Sequence, residues 1–316
     1  MLPLNIIAGA AACSKRMPAR KASASLVPLS HVANIRIILM DADKDFIQRR
    51  VAISEICESD IARTYDEIYR VLLSSNVFTE ALAAAMGEKG LDLLGQFSFA
   101  TRDDVAAIIR LVRNDKHGRI LDVGCGTGSI TNKFSKRGKY VCGLDISHFA
   151  INGAHHFRSC ARSENVSLIV GDFHRLPFKK ESFSTIIGID SLQNANSRES
   201  IAAELYRVAM PQGTLAFTTW THFTSRQGSR CSDPLVSALE DVGFVISDVT
   251  DTDPGLNNQI KVYIEIGKRK ERLIQEMGDE VFRTIVTEAR HFAQRINKVR
   301  RLLIVLRKSQ DQSRKK

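Results

Sequence analysis

Hydrophobic residues follow two kinds of pattern along the chain, a helical period and short continuous runs, and the change between them divides the chain into parts. Between residues 41 and 100, apolar positions return every three or four residues, which is the period of an amphipathic helix. From 101 to 252, short apolar runs alternate with helical patterns, and this alternation favours an α/β fold with a mostly parallel sheet. A long helical pattern covers 253–299 with an interruption near Gly278, and a last apolar run follows at 300–307.

The apolar runs predict the strands of a single sheet. These strands cover residues 120–124, 139–145, 166–170, 183–190, 213–220, 244–249 and 301–306. Capping residues mark several of the helices between them, because a side-chain oxygen before a helix can accept a hydrogen bond from its first turn. Ser147 and Asp233 stand at such positions, and Thr101 with Asp104 forms a capping box. Gly243 is a typical helix end.

A glycine-rich turn follows the first predicted strand, where residues 120–128 read I-L-D-V-G-C-G-T-G. Glycine lets the backbone turn sharply and lets a ligand come closer than a Cβ would allow. The helix that follows presents unpaired N–H groups to the turn. A dinucleotide-binding loop would need glycine at Ser129, and a P-loop would need a lysine directly after Gly128. The spacing therefore indicates a different nucleotide-like ligand.

Acidic residues stand at or just after the ends of the predicted strands. Asp145 ends the second strand, Asp172 follows the third, and Asp190 ends the fourth. The carboxyl ends of parallel strands meet at one edge of a sheet, so these side chains are expected to converge near Gly124. At the end of the second strand, a carboxylate can accept hydrogen bonds from both hydroxyls of a ribose.

The order and spacing of these blocks resemble the class I S-adenosylmethionine (SAM) methyltransferases, whose first motif is close to L-D-V-G-C-G-T-G. The resemblance covers roughly residues 101–251 and 301–307, and it is typical of the small-molecule branch, which includes quinone, sterol, glycine-derivative and secondary-metabolite methyltransferases. It implies a Rossmann-like, doubly wound, mostly parallel seven-stranded sheet with an antiparallel last strand. It also implies an N-terminal helical lid at 41–100 and a helical insertion at 253–299 that caps the substrate.

The resemblance further implies SAM as methyl donor and S-adenosylhomocysteine (SAH) as product. In the family, the position of Asp172 contacts the adenine amino group and the position of Phe173 lies beside the ring. The cofactor-binding residues expected on this basis are Asp122, Gly124, Cys125, Gly126, Gly128, Asp145, Ile146, Asp172, Phe173 and Asp190.

No residue is assigned a catalytic role from the sequence. Transfer of a methyl group from a sulfonium depends mainly on alignment and exclusion of water, so a general base is needed only when the acceptor must lose a proton. His222 follows the fifth predicted strand and is the weak candidate for contact with the substrate. His174, His155 and His156 rank below it, because a histidine in a loop is more often a surface or hydrogen-bonding residue.

Three aromatic residues have two readings each. Tyr65 and Tyr69 stand one turn apart in the lid, where they either pack in a core or place a hydroxyl near the cofactor or substrate. Trp220, the single tryptophan, is expected in the core or in the wall of a pocket.

The acceptor is expected to be a small organic molecule of natural-product metabolism, methylated at oxygen, nitrogen or carbon. Residues 189–194 lack the Asn/Asp-Pro-Pro-Tyr/Phe motif with which amino-methylating enzymes hold a base or glutamine. Two alternatives stay open: an RNA- or protein-directed methyltransferase, which predicts a basic patch on the core, and a catalytically silent partner subunit, which predicts eroded motifs. A homodimer is compatible with the pattern, no metal ligand set is expected, and nucleic acid is not the expected partner.

Charge and cysteine content narrow the setting. The chain has 316 residues and a formal net charge of +10, but residues 1–40 carry five basic side chains and no acid, and residues 308–316 carry four basic side chains and one acid. The remainder is nearly balanced, which does not favour a nucleic-acid site in the core. Six cysteines without a C-x-x-C pair suit a reducing compartment, and cytoplasmic location is expected. Residues 1–40 are read as an extension, a disordered arm or an organelle-targeting peptide.

Overall fold

In the computed structural model, the described residues are 58–87, 98–112, 118–135, 139–156, 164–222, 233–295 and 299–309. The predictions for residues 1–57 and 310–316 lie outside this part of the chain. Within it, no helix combines the length and the apolar composition that crossing a membrane requires.

The predicted sheet is present, with its antiparallel strand. Its strands are β1 (Arg119–Val123), β2 (Tyr140–Asp145), β3 (Val166–Val170), β4 (Phe183–Gly188), β5 (Ala209–His222), β6 (Phe244–Asp251) and β7 (Val299–Lys308). They lie in the order β3-β2-β1-β4-β5-β7-β6. Only β7 among these runs against its neighbours, inserted between β5 and β6. This is the Rossmann-like arrangement that the sequence pattern predicted.

Helices cover both faces of the sheet and one end of it. They are α1 (Glu58–Ser74), α2 (Asn76–Met86), α3 (Arg102–Val112), α4 (Ser129–Ser135), α5 (His148–His156), α6 (Arg198–Val208), α7 (Pro234–Val242), α8 (Asp253–Lys268), α9 (Lys270–Met277) and α10 (Asp279–Arg295). A 3₁₀ turn, Leu192–Asn194, follows β4.

The alternation of side chains along β1 contributes to a core on each face of the sheet. Ile120 packs in the cluster that contains residues of α3 and α4. Leu121 and Val123 point to the other face and pack in the cluster that contains residues of α6 and α7. All three side chains are fully buried, so β1 is an interior strand of a doubly wound sheet, and its carboxyl end leads into the glycine-rich turn.

The lid and the insertion, far apart in sequence, share a third core. Residues of α1 and α2 pack with residues of α8, α9 and α10 in one cluster of buried side chains. Polar contacts join them at the edge: Glu276 accepts hydrogen bonds from the hydroxyl of Ser75 and the backbone N–H of Val77, and Arg272 pairs with Glu80 at 2.9 Å. The two segments thus form one helical layer. Their limits as domains stay a prediction.

The predicted capping residues are confirmed. Thr101 N–H donates to Asp104 at 2.8 Å, and Asp104 N–H donates back to Thr101 Oγ1 at 3.1 Å. Ser147 Oγ accepts from Ala150 N–H, and Asp233 accepts from the N–H groups of Leu235 and Val236.

Several element boundaries differ from the sequence prediction by a few residues, and the largest differences lie in β5 and in the insertion. Strand β5 begins at Ala209 rather than at Gly213, because Ala209 pairs with Phe183 across an irregularity in the β4–β5 register. The insertion is broken at Arg269 as well as at Gly278. Gly278 has a positive φ of 85° that glycine accepts readily, and Gly267, two residues before Arg269, is a local signal for the other break because glycine is unfavourable inside a helix.

Candidate functional site

A pocket lies at the carboxyl ends of the central strands, on the edge of the sheet where the acidic residues were expected. Its empty volume, counted out to and including the open mouth, is about 770 Å³. The core contributes Gly124, Asp145, Asp172 and Asp190, among others, and the lid helix α1 contributes Ile61, Tyr65 and Tyr69. We call this space the strand-end pocket.

The three glycines of the turn all adopt left-handed backbone angles, with φ of 71° at Gly124, 55° at Gly126 and 74° at Gly128. At Gly124 space is also limiting, because an added Cβ would lie 2.3 Å from the Cβ of Ser191. Ser191 is held there by its hydroxyl, which donates to the carbonyl of Val123 at 2.6 Å. The segment after β4 therefore packs directly on the glycine turn.

Asp145 is the best-placed polar group in the pocket. It is 6% exposed, and its two oxygens accept from Gly126 N–H at 2.7 Å and from Ser147 N–H at 2.9 Å. A carboxylate offers about four acceptor positions, so each oxygen can still accept a further hydrogen bond. Burial raises the pKa of Asp145 to about 6, against the backbone N–H groups that lower it.

Asp122 was expected among the cofactor-binding residues, but its carboxylate lies behind the glycine turn. It is buried and accepts a hydrogen bond from Thr131 Oγ1 at 2.6 Å. Burial raises the pKa of Asp122 to about 7, with a smaller contribution from the charge of Asp145. This contact ties α4 to β1, so Asp122 supports the turn, and direct contact with a ligand stays a prediction.

Asp172, Phe173 and His174 line the pocket together. Asp172 Oδ1 accepts from the backbone N–H of His174 at 2.8 Å and lies 2.8 Å from His174 Nδ1. The rings of Phe173 and His174 are 4.8 Å apart. No described residue bonds the second oxygen of Asp172, which is consistent with the predicted contact to a ligand.

Asp190 lines the pocket, but the structure shows its carboxylate engaged within the protein. Oδ1 accepts from Arg301 Nη2 at 2.8 Å and from Thr218 Oγ1 at 2.8 Å. Oδ2 accepts from Ser98 Oγ at 2.8 Å and from Phe99 N–H at 3.0 Å. Burial disfavours the charge of Asp190, yet Arg301 and the hydroxyls outweigh burial and lower its pKa. The Asp190 carboxylate thus shapes the pocket wall, and its direct contact with the cofactor stays a prediction.

The strand order, the glycine turn and the acids at the strand ends together point to one family, and comparison with known proteins decides it. A family model described as "Methyltransferase domain" matches residues 114–273, half of the chain. The chain belongs to this methyltransferase-domain family.

Sequence relatives of this methyltransferase domain include two fungal sterol 24-C-methyltransferases. The Eremothecium gossypii enzyme is 33% identical over 103 residues, which are 32% of this chain and 28% of that protein. The Neurospora crassa enzyme is 26% identical over 153 residues, which are 48% of this chain and 40% of that protein. The matches thus span less than half the length of these relatives.

Solved structures share the fold over most of the chain. The phosphoethanolamine N-methyltransferase 2 of Haemonchus contortus, solved with phosphomonomethylethanolamine and SAH, has a TM-score of 0.61 at 17% identity and covers 81% of this chain and 61% of its own. The [4+2]-cyclase SpnF has a TM-score of 0.60 at 19% identity and covers 80% and 97%.

Helix α1, which precedes the matched residues 114–273, contributes more to the pocket than the sequence indicated. Tyr65 OH accepts a hydrogen bond from Asn194 Nδ2 at 2.7 Å, which joins the lid to the 3₁₀ turn after β4. Asp66 Oδ1 accepts from Ser147 Oγ at 2.6 Å and from Phe149 N–H at 3.2 Å. Ser147 N–H also donates to Asp145. Ser147 therefore connects Asp66 of α1 with the Asp145 carboxylate in the pocket.

Tyr69 is 5% exposed, packs in the core shared by the helical segments, and also lines the pocket; contact of its hydroxyl with cofactor or substrate stays a prediction. Trp220 packs edge-on against Phe292, with ring centroids 6.0 Å apart. The sequence carried no signal for Asp66 or Asn194, because their contacts depend on the docked position of the lid.

The other residues expected at the site differ in where the structure places them. Ile146 lines the pocket, whereas Cys125 is buried in the turn with its Sγ 3.5 Å from the carbonyl of Gly126. His222 is the last residue of β5 and pairs with Val299, and His155 and His156 end α5. The side chains of these three histidines lie outside the described part of the structure, so their roles stay predictions.

Proposed function

We propose that this methyltransferase domain takes SAM as donor and transfers its methyl group to oxygen, nitrogen or carbon of a small organic molecule. One observation carries the proposal: the Asp145 carboxylate stands at the end of β2, inside the strand-end pocket and directly against the glycine turn. Family membership supports the same assignment.

The residues of the pocket fit the parts of this donor. Asp145 retains acceptor positions for the two ribose hydroxyls. Asp172 offers its second oxygen to the adenine amino group, and Phe173 supplies a ring beside the base. The left-handed glycines leave the turn without side chains where the methionine part would lie.

SAM supplies a methyl group already activated by the positive charge on sulfur, so the protein's task is alignment and exclusion of water. Alignment can account for about 7–11 kcal/mol of rate acceleration in favourable cases. The lid performs this task here, since Tyr65 and Asp66 fasten α1 across the pocket mouth. No step requires a dedicated base unless the acceptor must lose a proton.

The charges around the pocket support an uncharged acceptor. Three carboxylates line it, those of Asp145, Asp172 and Asp190, and no lysine or arginine does so among the described lining residues. The carboxylate of Asp190 is paired with Arg301, whereas those of Asp145 and Asp172 have no described lysine or arginine partner, so an anionic acceptor would meet their negative charge. The lid side offers apolar and aromatic surface from Ile61 and Tyr69 together with the Tyr65–Asn194 pair. An apolar natural product with a single hydroxyl, amine or double bond suits these surfaces.

Methyl transfer is tested with purified protein, methyl-labelled SAM and acceptor pairs that share a carbon skeleton and differ by an anionic group, such as geraniol with geranyl diphosphate. We expect label in uncharged acceptors, with equimolar SAH formed, and at least about tenfold less label in the anionic partner, as a difference of 1.4 kcal/mol would give. Label in total RNA or in protein, with none in any small molecule, would contradict the proposal.

Donor affinity is expected to fall in mild acid. The ribose hydroxyls donate their strongest hydrogen bonds to an ionised carboxylate, and burial places the pKa of Asp145 at about 6. SAH affinity should therefore be constant near pH 7.5 and weaken below pH 6, by up to about tenfold per pH unit where one proton must leave.

The effect of the same carboxyl group on fold stability has the opposite sign. Its raised pKa stabilises the fold at low pH, and this contribution is lost as pH rises through 6.

The measurement is calorimetric titration with SAH from pH 5 to pH 7.5, with Asp145→Asn as the control. The variant should bind weakly but with little change across this range, because its amide does not titrate. An equal loss of affinity in both proteins would show that a different group titrates.

A further inference from the structure

Arg301 is a fully buried cation at the start of the last strand, where the sequence pattern shows only an apolar run. Its guanidinium donates to Asp190 Oδ1 from Nη2 at 2.8 Å and from Nε at 3.1 Å. Nη1 donates to Asp104 Oδ2 at 2.7 Å and to Thr252 Oγ1 at 3.0 Å. The guanidinium carbon lies 5.6 Å from the centre of the Trp220 ring. One side chain on β7 thus joins α3, β5, the end of β6 and the segment after β4.

The residue that Arg301 holds most firmly shapes the wall of the strand-end pocket. Asp190 has a φ of 52°, which is left-handed and unfavourable for a residue other than glycine. Its second oxygen fixes Ser98 and Phe99. The next residue, Ser191, packs on Gly124, because a Cβ at that glycine would lie 2.3 Å away. The wall therefore keeps its shape only while the Asp190 carboxylate keeps its partners.

We infer that Arg301 is a positioning residue for donor binding, which acts through Asp190 on both the wall after β4 and the glycine turn. Arg301 is not among the residues that line the pocket, so its effect passes through the carboxylate it holds. The identity of the bound molecule rests on the proposed function, whereas the mechanical link between Arg301, Asp190 and Phe99 does not.

Arginine is needed for geometric reasons as well as for charge. Its planar fork engages Asp190 through two nitrogens while a third faces Asp104, and lysine, a point charge on a flexible stem, cannot satisfy both carboxylates in this way. Removing the cation altogether would leave two buried carboxylates without compensation, which is strongly destabilising. Arg301→Lys is therefore the informative variant, since it keeps the charge and loses the fork.

The same strand provides a matched control. Lys308 lies at the other end of β7, is 7% exposed, and donates to the carbonyls of Tyr206 and Ala209 at 2.8 Å each. These contacts lie outside the strand-end pocket, so Lys308→Met should lose stability without disturbing the wall. Comparing variants of similar stability separates positioning from general loosening.

Two measurements test the inference. Hydrogen exchange followed by mass spectrometry reports on Phe99 N–H, which donates to Asp190 Oδ2; we expect about tenfold faster exchange of the peptide around residues 98–101 in Arg301→Lys and no change in Lys308→Met. Calorimetric titration with SAH should show binding about 10- to 100-fold weaker in Arg301→Lys, the range typical of misplaced binding groups, and unchanged in Lys308→Met.

Equal exchange around 98–101 in wild type and Arg301→Lys would overturn the inference, as would equal loss of SAH affinity in both variants. Failure of the wild type to bind SAH would refute the proposed function instead, and the exchange measurement would still decide the role of Arg301.

Discussion

Asp145→Ala is expected to weaken SAH binding by about 2–4 kcal/mol, or about 30- to 1000-fold, because a ligand hydroxyl loses a charged acceptor inside a buried pocket. Part of the loss is indirect. The carboxylate also holds the N–H groups of Gly126 and Ser147, so its removal loosens the glycine turn as well as the ligand.

Asp233→Ala is the matched control for this experiment. Asp233 is similarly buried, accepts hydrogen bonds from two backbone N–H groups and from the Thr219 hydroxyl, and caps α7. It should cost about 0.5–2 kcal/mol of stability, as loss of a helix cap usually does, and leave SAH affinity unchanged. If titration shows equal affinity in wild type and Asp145→Ala, the placement of the ribose at β2 is wrong.

Gly124→Ala is expected to destabilise the fold more than the same change at a left-handed glycine that has open space around it. Two costs add at Gly124: about 1–2 kcal/mol for a Cβ at a left-handed φ, and about 1–3 kcal/mol for overpacking against Ser191. The second cost follows from the 2.3 Å approach to the Ser191 Cβ. Because Ser191 also lines the strand-end pocket, SAH binding should weaken too.

Gly87→Ala isolates the backbone cost, since Gly87 has a φ of 70° and no atom within 4 Å of an added Cβ. Urea denaturation should give a larger loss of unfolding free energy for Gly124→Ala than for Gly87→Ala. Combining Ser191→Gly with Gly124→Ala should recover part of the difference. Equal losses at the two glycines would show that the segment after β4 does not pack on the turn.

The parts of the fold that follow local rules could be predicted from the sequence. Short apolar runs placed the strands to within a few residues, and the caps at Thr101, Ser147 and Asp233 were confirmed because each involves residues at most three positions apart. The glycine turn and the acid after β2 were predictable for a related reason. Their spacing along the chain is set by the length of one strand–helix–strand unit.

The parts that depend on distant contacts were not predictable from the sequence. Asp190 read as a cofactor ligand because it follows a strand, yet its partner Arg301 lies 111 positions away. An arginine at the start of an apolar strand gives no local signal of that pairing. Likewise, Asp66 meets Ser147 across 81 positions, and this contact exists only because the lid docks on α5. Long-range ion pairs and hydrogen bonds of this kind decide which acids remain available to a ligand.

Calorimetric titration of the purified wild-type chain with SAH tests the central claim most directly, because it requires no knowledge of the acceptor. The assignment of the strand-end pocket predicts a single site per chain with micromolar affinity at pH 7.5. If a folded sample shows no detectable binding heat at millimolar SAH, this assignment is contradicted. The pocket would then have to be assigned to a different ligand.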